Sequence, residues 1–135
     1  KKLQIGTNLC GANMHISKYS TQKLVDSFEY WMVDAEYYEP IMNYLVHGFS
    51  PGSFFFYVLC NDWANAMIRS HPSNRVENLK NITKWLINVM PKEAWGNHET
   101  VDTWLTMIPE KRRRILERYE LVFTEKEETW MALNG

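Results

Sequence analysis

The sequence is organised around residues 47–70, HGFSPGSFFFYVLCNDWANAMIRS, which contain a helix stop, a helix start and the most apolar run of the chain. Gly48 can adopt the left-handed conformation that ends a helix, Ser50 can cap the next helix, and Pro51 suits a first helical position. The apolar residues that follow repeat at helical spacing; they are Phe55, Val58, Leu59, Trp63, Ala66 and Met67. We therefore predict a buried central helix over residues 51–69.

Amphipathic patterns of helical period lie on both sides of the central helix. They cover residues 20–35, 41–47, 76–89, 98–108, 109–120 and 124–134. Residues 1–19 lack such a period, and no segment shows sustained alternation of polar and apolar residues. We predict an all-α fold, a compact bundle of about six short-to-medium helices around the central helix. An irregular N-terminal arm, residues 1–19, precedes a single helical domain, residues 20–135.

The composition limits the classes of function. At 135 residues with a net charge of -1, the chain lacks the basic excess of a surface made for nucleic acid or anionic membranes. Cys10 and Cys60 are too few for a disulfide framework, so we expect free thiols. No apolar run reaches the length of a membrane span, and the first residues lack the apolar region of a signal peptide. We expect a cytoplasmic protein without membrane contact.

The pattern of reactive side chains argues against catalysis. The four histidines do not occur as a pair on one helix face, as a metal site would require; they are His15, His47, His71 and His98. Cys60 lies among aromatic and aliphatic residues, where the pKa of a thiol rises and its reactivity falls. We expect no catalytic residues, no metal and no cofactor.

Asp62 falls on the apolar stripe of the predicted central helix, which directs its carboxylate toward the core. A buried carboxylate is costly unless it is hydrogen-bonded. In the structural interpretation, which we favour, Asp62 accepts from a helix N-terminus or an indole N–H. In the functional interpretation it lines a polar pocket with His47 and Trp95.

The clearest local charge feature is the basic run in residues 109–120, where five cations and three carboxylates leave a net charge of +2. The candidate nucleic-acid-binding residues are Lys111, Arg112, Arg113, Arg114 and Arg118. Such a run is usually a solvated helix face, but phosphate binding is the alternative. Residues 20–62 carry one lysine against six acidic residues. This asymmetry also suits self-association or docking to a charged protein partner.

Aromatic residues form 14% of the chain, with six tryptophans and seven tyrosines. A core rich in large side chains explains most of them. Tryptophan and tyrosine are also enriched at protein interfaces. The candidate protein-binding residues are Tyr37, Tyr38 and Trp95.

Three motifs carry a resemblance to a known group of proteins: YxxHGxxPGSF at residues 44–54, VLxND at residues 58–62, and WG at residues 95–96. The chain resembles small helical accessory proteins of unassigned function encoded by tailed bacteriophages, over about residues 37–105. The resemblance implies an accessory protein acting in the cytoplasm of an infected bacterium, with no activity to carry over. Families of this kind include proteins that disable host defence or redirect host machinery.

We therefore expect a non-enzymatic module that binds a host or phage protein, with self-association into a homo-oligomer as a further form of binding. The first alternative is a nucleic-acid-binding protein that uses residues 109–120. The second alternative is a small-ligand or enzymatic site near His47, Asp62 and Trp95.

Overall fold

A computed structural model describes residues 15–125, and helices dominate this part of the chain. Its seven α-helices are α1 Lys18–Tyr30, α2 Tyr38–His47, α3 Ser53–Leu59, α4 Trp63–Arg69, α5 Val76–Val89, α6 His98–Thr106 and α7 Pro109–Arg118. Short 3-10 turns cover Ala35–Tyr37 and Lys92–Ala94. Two short strands, β1 His15–Ile16 and β2 Phe123–Thr124, pair antiparallel and join the two ends of the described chain. The prediction of an all-α fold is confirmed.

The predicted boundary of the N-terminal arm, at residue 19, lies too far along the chain. His15–Ile16 form β1, and α1 begins at Lys18, where the Ser17 hydroxyl accepts from the Ser20 N–H as an N-cap. Residues 1–14 lie outside the described residues, as does most of the helix predicted over 124–134. Thr124 itself belongs to β2.

The predicted central helix is two helices. α3 ends before Cys60, and Asn61 adopts a left-handed conformation with φ 58°. Asparagine tolerates this conformation better than most residues, so it can end a helix. Asp62 then caps α4 by accepting from the backbone N–H of Asn65 at 3.4 Å. The prediction of one helix over residues 51–69 is therefore wrong, although its two halves pack against each other.

The junction before α3 was predicted in part. Gly48 ends α2 in the left-handed conformation, with φ 69°, as the sequence indicates. α3 begins at Ser53 rather than at residue 51, because Gly52 is its N-cap residue, with φ 95° and ψ 160°. Ser50 and Pro51 precede the helix and belong to the connection between α2 and α3.

The core is continuous from β1 to the residues just before β2. α3 contributes Phe55, Val58 and Leu59 to it, whereas α4 contributes only Ala66, and Trp63 is half-buried. Of the five largest fully buried side chains, one is Phe55 of α3 and the other four come from other helices; they are Phe28, Tyr44, Trp85 and Trp104. The helices therefore share the core, and α3 contributes one aromatic and two aliphatic side chains to it.

Hydrogen bonds fix the polar ends of these large side chains. The Tyr44 hydroxyl donates to the Ala94 carbonyl at 2.6 Å, and the indole N–H of Trp104 donates to the Tyr44 carbonyl at 2.9 Å. The indole N–H of Trp85 donates to the Ser27 hydroxyl at 3.0 Å. Each bond links two different elements, so the aromatic core has a defined arrangement as well as a large apolar area.

The longest helix among residues 15–125 is α5, with 14 residues. No described helix has both the length and the apolar character needed to cross a lipid bilayer.

Candidate functional site

Arg112 is a buried structural residue, with 2% of its surface exposed. Its guanidinium donates to the carbonyls of Met107 at 2.6 Å, Trp104 at 3.2 Å and Val46 at 3.4 Å. These carbonyls lie at the C-terminal ends of α2 and α6, where the helix dipole favours a cation. The prediction that Arg112 belongs to a nucleic-acid-binding surface is wrong, because the side chain is enclosed between helices.

The other cations of the basic run differ in whether they form ion pairs with carboxylates. Arg113 pairs with Glu117 at 3.3 Å, and Arg118 pairs with Glu93 at 3.2 Å. Lys111 and Arg114 are exposed and form no ion pair within residues 15–125. Two unpaired cations are few for a surface that neutralises several phosphates.

The structure gives the residues of the predicted polar pocket different neighbours. Asp62 contacts Nε2 of His98 at 3.0 Å and caps α4, whereas the His47 ring stacks on Phe49 at 5.3 Å. Trp95 is half-buried in the loop before α6. No contact among the described residues joins His47 to Asp62. The described structure therefore does not form the predicted polar pocket.

The Asp62 carboxylate is not directed into the core, which corrects the prediction from the apolar stripe. Hydrogen bonds from the Asn65 side chain and from His98 hold the pKa of Asp62 below its ordinary value. The structural interpretation of Asp62 is nevertheless confirmed in one respect, since the carboxylate accepts from the N-terminus of a helix. That helix is α4, which the sequence analysis did not separate from α3.

Residues 26–39 run from the end of α1 to the start of α2, and we call the exposed part of this segment the acidic face. Its five carboxylates are all exposed, and this segment contains no lysine or arginine; they are Asp26, Glu29, Asp34, Glu36 and Glu39. None of the five forms an ion pair within the described part of the chain. The acidic face is therefore a concentrated negative charge with no cation of its own.

Two large apolar side chains lie in the acidic face with most of their surface in solvent. Tyr30 is 76% exposed and Met32 is 73% exposed, and Trp31 contacts Tyr30 edge to face at 5.0 Å. Met32 has φ 58°, a conformation that is uncommon for a residue other than glycine. The Asn81 side-chain amide donates to the Met32 carbonyl at 3.3 Å and so holds this backbone turn from α5.

Tyr30 and Met32 were not among the binding residues predicted from the sequence. Met32 falls inside the amphipathic pattern predicted over residues 20–35, so it was expected to belong to a helix. α1 ends at Tyr30, so the periodicity no longer applies two residues later. Tyr30 could have been recognised as exposed, because it lies outside the apolar positions of the predicted first helix and next to Glu29.

The predicted protein-binding tyrosines, Tyr37 and Tyr38, lie within the acidic face but are half-buried. Tyr38 stacks on Phe28 at 4.5 Å, and its pKa is raised by burial and then by the carboxylates of Glu29 and Asp34. Tyr37 contacts the ring of Phe55 at 5.5 Å. Both tyrosines therefore take a larger part in packing, and expose less surface to a partner, than predicted.

A surface cleft of about 550 Å³ lies between the start of α2, the start of α3 and the loop after α4. Its apolar wall consists of Tyr37, Phe54 and Phe55. Its polar wall contains Arg69, His71, Ser73 and Asn74 from the end of α4 and the following loop, with Glu36 from the 3-10 turn. Pro40, Pro51, Gly52 and Ser53 complete the lining.

Cys60, the residue after α3, is a buried free thiol. Burial raises the pKa of Cys60 to about 11, so its thiol is protonated at neutral pH and is a poor nucleophile. Residues 15–125 contain no group of three or more His, Cys, Asp or Glu side chains arranged to hold a metal ion. Cys10 lies outside the described residues.

Comparison with known proteins gives no family. No protein-family model matches the chain, and neither the curated proteins nor the solved structures contain a significant match.

Proposed function

We propose that this chain is a non-enzymatic accessory protein that binds a basic protein partner through the acidic face. The observation that carries the proposal is the combination of five exposed carboxylates, no cation in residues 26–39, and the exposed side chains of Tyr30 and Met32. Protein interfaces commonly place aromatic residues and methionine at the centre and polar groups at the rim. The acidic face contains both kinds of residue.

The negative charge of the acidic face indicates that the partner surface is positively charged. Carboxylates grouped on one surface repel one another, and a partner that supplies lysine and arginine side chains relieves this repulsion. Complementary charges also steer the encounter and increase the association rate at low salt. The partner should therefore present cations around an apolar contact.

The resemblance to bacteriophage accessory proteins supports the same class of function. A small protein that acts on host or phage machinery needs a recognition surface more than it needs catalytic groups. We propose the cytoplasm of an infected bacterium as the place of action. A second copy of the chain, which carries the exposed cations Lys111 and Arg114, is the other partner that the test must distinguish.

The test is capture of proteins from bacterial lysate on the immobilised full chain, with a double variant Glu29→Gln/Asp34→Gln. The matched control is Glu99→Gln/Glu110→Gln, which removes the same charge from exposed positions on α6 and α7. We expect a basic protein that binds to the wild type and the control, is lost from the acidic-face variant, and is released by added salt.

Equal capture by both double variants would contradict the proposal. Light scattering of the purified chain at low and high salt separates the two partners. A salt-sensitive dimer that the acidic-face variant abolishes would assign the surface to self-association. A monomer at every salt concentration, together with no captured protein, would reject binding by the acidic face.

A further inference from the structure

The cleft beside α2 and α3 has a chemistry different from that of the acidic face. We propose that it binds an anionic group, a carboxylate or a phosphate, carried on an aromatic ring. This inference goes beyond the proposed function, because it concerns a cleft that shares only Glu36 and Tyr37 with the acidic face and has the opposite preference for charge.

The apolar wall of the cleft suits a flat ring. The Tyr37 ring lies 5.5 Å from Phe55 and 6.2 Å from Phe54, measured between ring centres. Phe54 and Phe55 meet edge to face, with 6.5 Å between their centres. Aromatic pairs favour such offset and edge-to-face contacts, so a ligand ring can pack against the exposed parts of Tyr37 and Phe54, with Phe55 buried behind them.

Arg69 adds a permanent positive charge to the lining of the cleft. Its guanidinium lies 5.4 Å from the centre of the Tyr57 ring, which positions the cation without neutralising it. Within residues 15–125 Arg69 forms no ion pair with a carboxylate. Its planar N–H donors therefore remain available for a carboxylate or a phosphate, which arginine binds with two parallel hydrogen bonds.

His71 adds a neutral donor next to Arg69. Its Nδ1 accepts the backbone N–H of Ser73 at 3.1 Å, and a backbone N–H can only donate. The neutral ring therefore carries its proton on Nε2, which becomes a hydrogen-bond donor. The Ser73 hydroxyl lies 2.7 Å from the same Nδ1 and helps to hold the ring.

The balance of charge in the lining favours an anion on the side of α4. Glu36 is the one carboxylate among the lining residues, and it comes from the 3-10 turn before α2, whereas Arg69 and His71 come from the end of α4 and its loop. A cationic ligand would meet Arg69 without a matching acceptor on that wall. The volume of about 550 Å³ lies within the range of small-molecule sites.

The test is an NMR titration of the ¹⁵N-labelled full chain with phenyl phosphate, phenylacetate and benzylamine. We expect the two anions to shift the amide signals of the cleft residues, with benzylamine at least tenfold weaker. Arg69→Gln should weaken phenyl phosphate binding about tenfold, which corresponds to one charge-assisted hydrogen bond. His71→Gln provides a second variant in an exposed loop.

The matched control is Arg114→Gln on α7, which removes an exposed cation that does not line the cleft. No shifts at millimolar anion would overturn the inference, as would equal binding of benzylamine or equal weakening by Arg69→Gln and Arg114→Gln. The variant Glu29→Gln/Asp34→Gln should leave phenyl phosphate binding unchanged. The cleft and the acidic face can therefore fail or succeed independently.

A free ligand and the end of a protein chain can present the same aromatic carboxylate. A five-residue peptide that ends in phenylalanine with a free carboxylate distinguishes these sources. Binding more than tenfold tighter than that of phenylacetate would assign the cleft to a chain terminus, and equal binding would assign it to a free small molecule. Amidation of the peptide should remove the interaction in either case.

Discussion

At the scale of single residues, the position of the Arg112 side chain depends on the absence of a side chain at Gly48. A Cβ atom built on Gly48 would lie 2.9 Å from Cζ of Arg112, so the guanidinium occupies the space that a side chain would need. The left-handed conformation of Gly48 was predictable from its place after an apolar helix. The need for space was not predictable, because Arg112 lies more than sixty residues away in the chain. The charge run gave no indication that one of its members is buried.

Removal of the Arg112 side chain should destabilise the fold. Arg112→Ala would remove the guanidinium donor from the Met107 carbonyl and one of two donors from the Trp104 carbonyl, and it would open a cavity between helices. We expect a loss of about 3 kcal/mol in the free energy of unfolding. Urea denaturation followed by circular dichroism measures it.

The control for this prediction is Arg114→Ala, two residues along the same helix and exposed. Its free energy of unfolding should change by less than about 0.5 kcal/mol. Similar losses for the two variants would show that Arg112 is not the buried link between α2, α6 and α7.

At the scale of elements, the break between α3 and α4 shows why apolar periodicity missed a helix end. Phe55, Leu59 and Ala66 are all buried, so the stripe continues at helical spacing across the break. The polar pair Asn61-Asp62 is the local signal for the break, since asparagine ends helices and aspartate caps them. The apolar pattern reports which residues face the core, but it does not report whether the backbone is continuous.

The capping role of Asp62 can be tested by two substitutions. Asp62→Ala should lower the midpoint of urea denaturation, because the Asn65 N–H loses its acceptor. Asp62→Asn should recover most of this loss, since asparagine caps helices about as well as aspartate. Equal midpoints for the alanine variant and the wild type would exclude the capping role.

The dependence of stability on pH follows from the lowered pKa of Asp62. A carboxyl whose pKa is lower in the folded state stabilises the fold above its ordinary pKa of 3.8, and this contribution is lost as the pH falls through the lowered value. The difference in stability between the wild type and Asp62→Asn should therefore decrease below about pH 4. Thermal unfolding of both proteins from pH 7 to pH 3 measures this difference. A constant difference in stability over that pH range would contradict the lowered pKa of Asp62.

At the scale of the whole molecule, the sequence predicted the fold class and the unequal distribution of charge. It did not predict the surfaces that this charge forms. The cleft combines residues from three separated segments, and Tyr30 and Met32 are exposed because α1 ends where it does. These features depend on how the helices pack, and a local pattern does not contain that information.

The central claim is that a basic partner contacts the acidic face, and the most direct measurement is site-specific photocrosslinking in bacterial lysate. A photoreactive phenylalanine analogue is placed at Tyr30 and, as the control, at Ile87, which is 65% exposed. Ile87 lies two residues after Trp85, which contacts Ser27 of α1, so it points to the opposite side of α5. We expect a crosslink to a basic protein from position 30 and none from position 87. Equal crosslinks from both positions, or a crosslink from position 87 alone, would contradict the account.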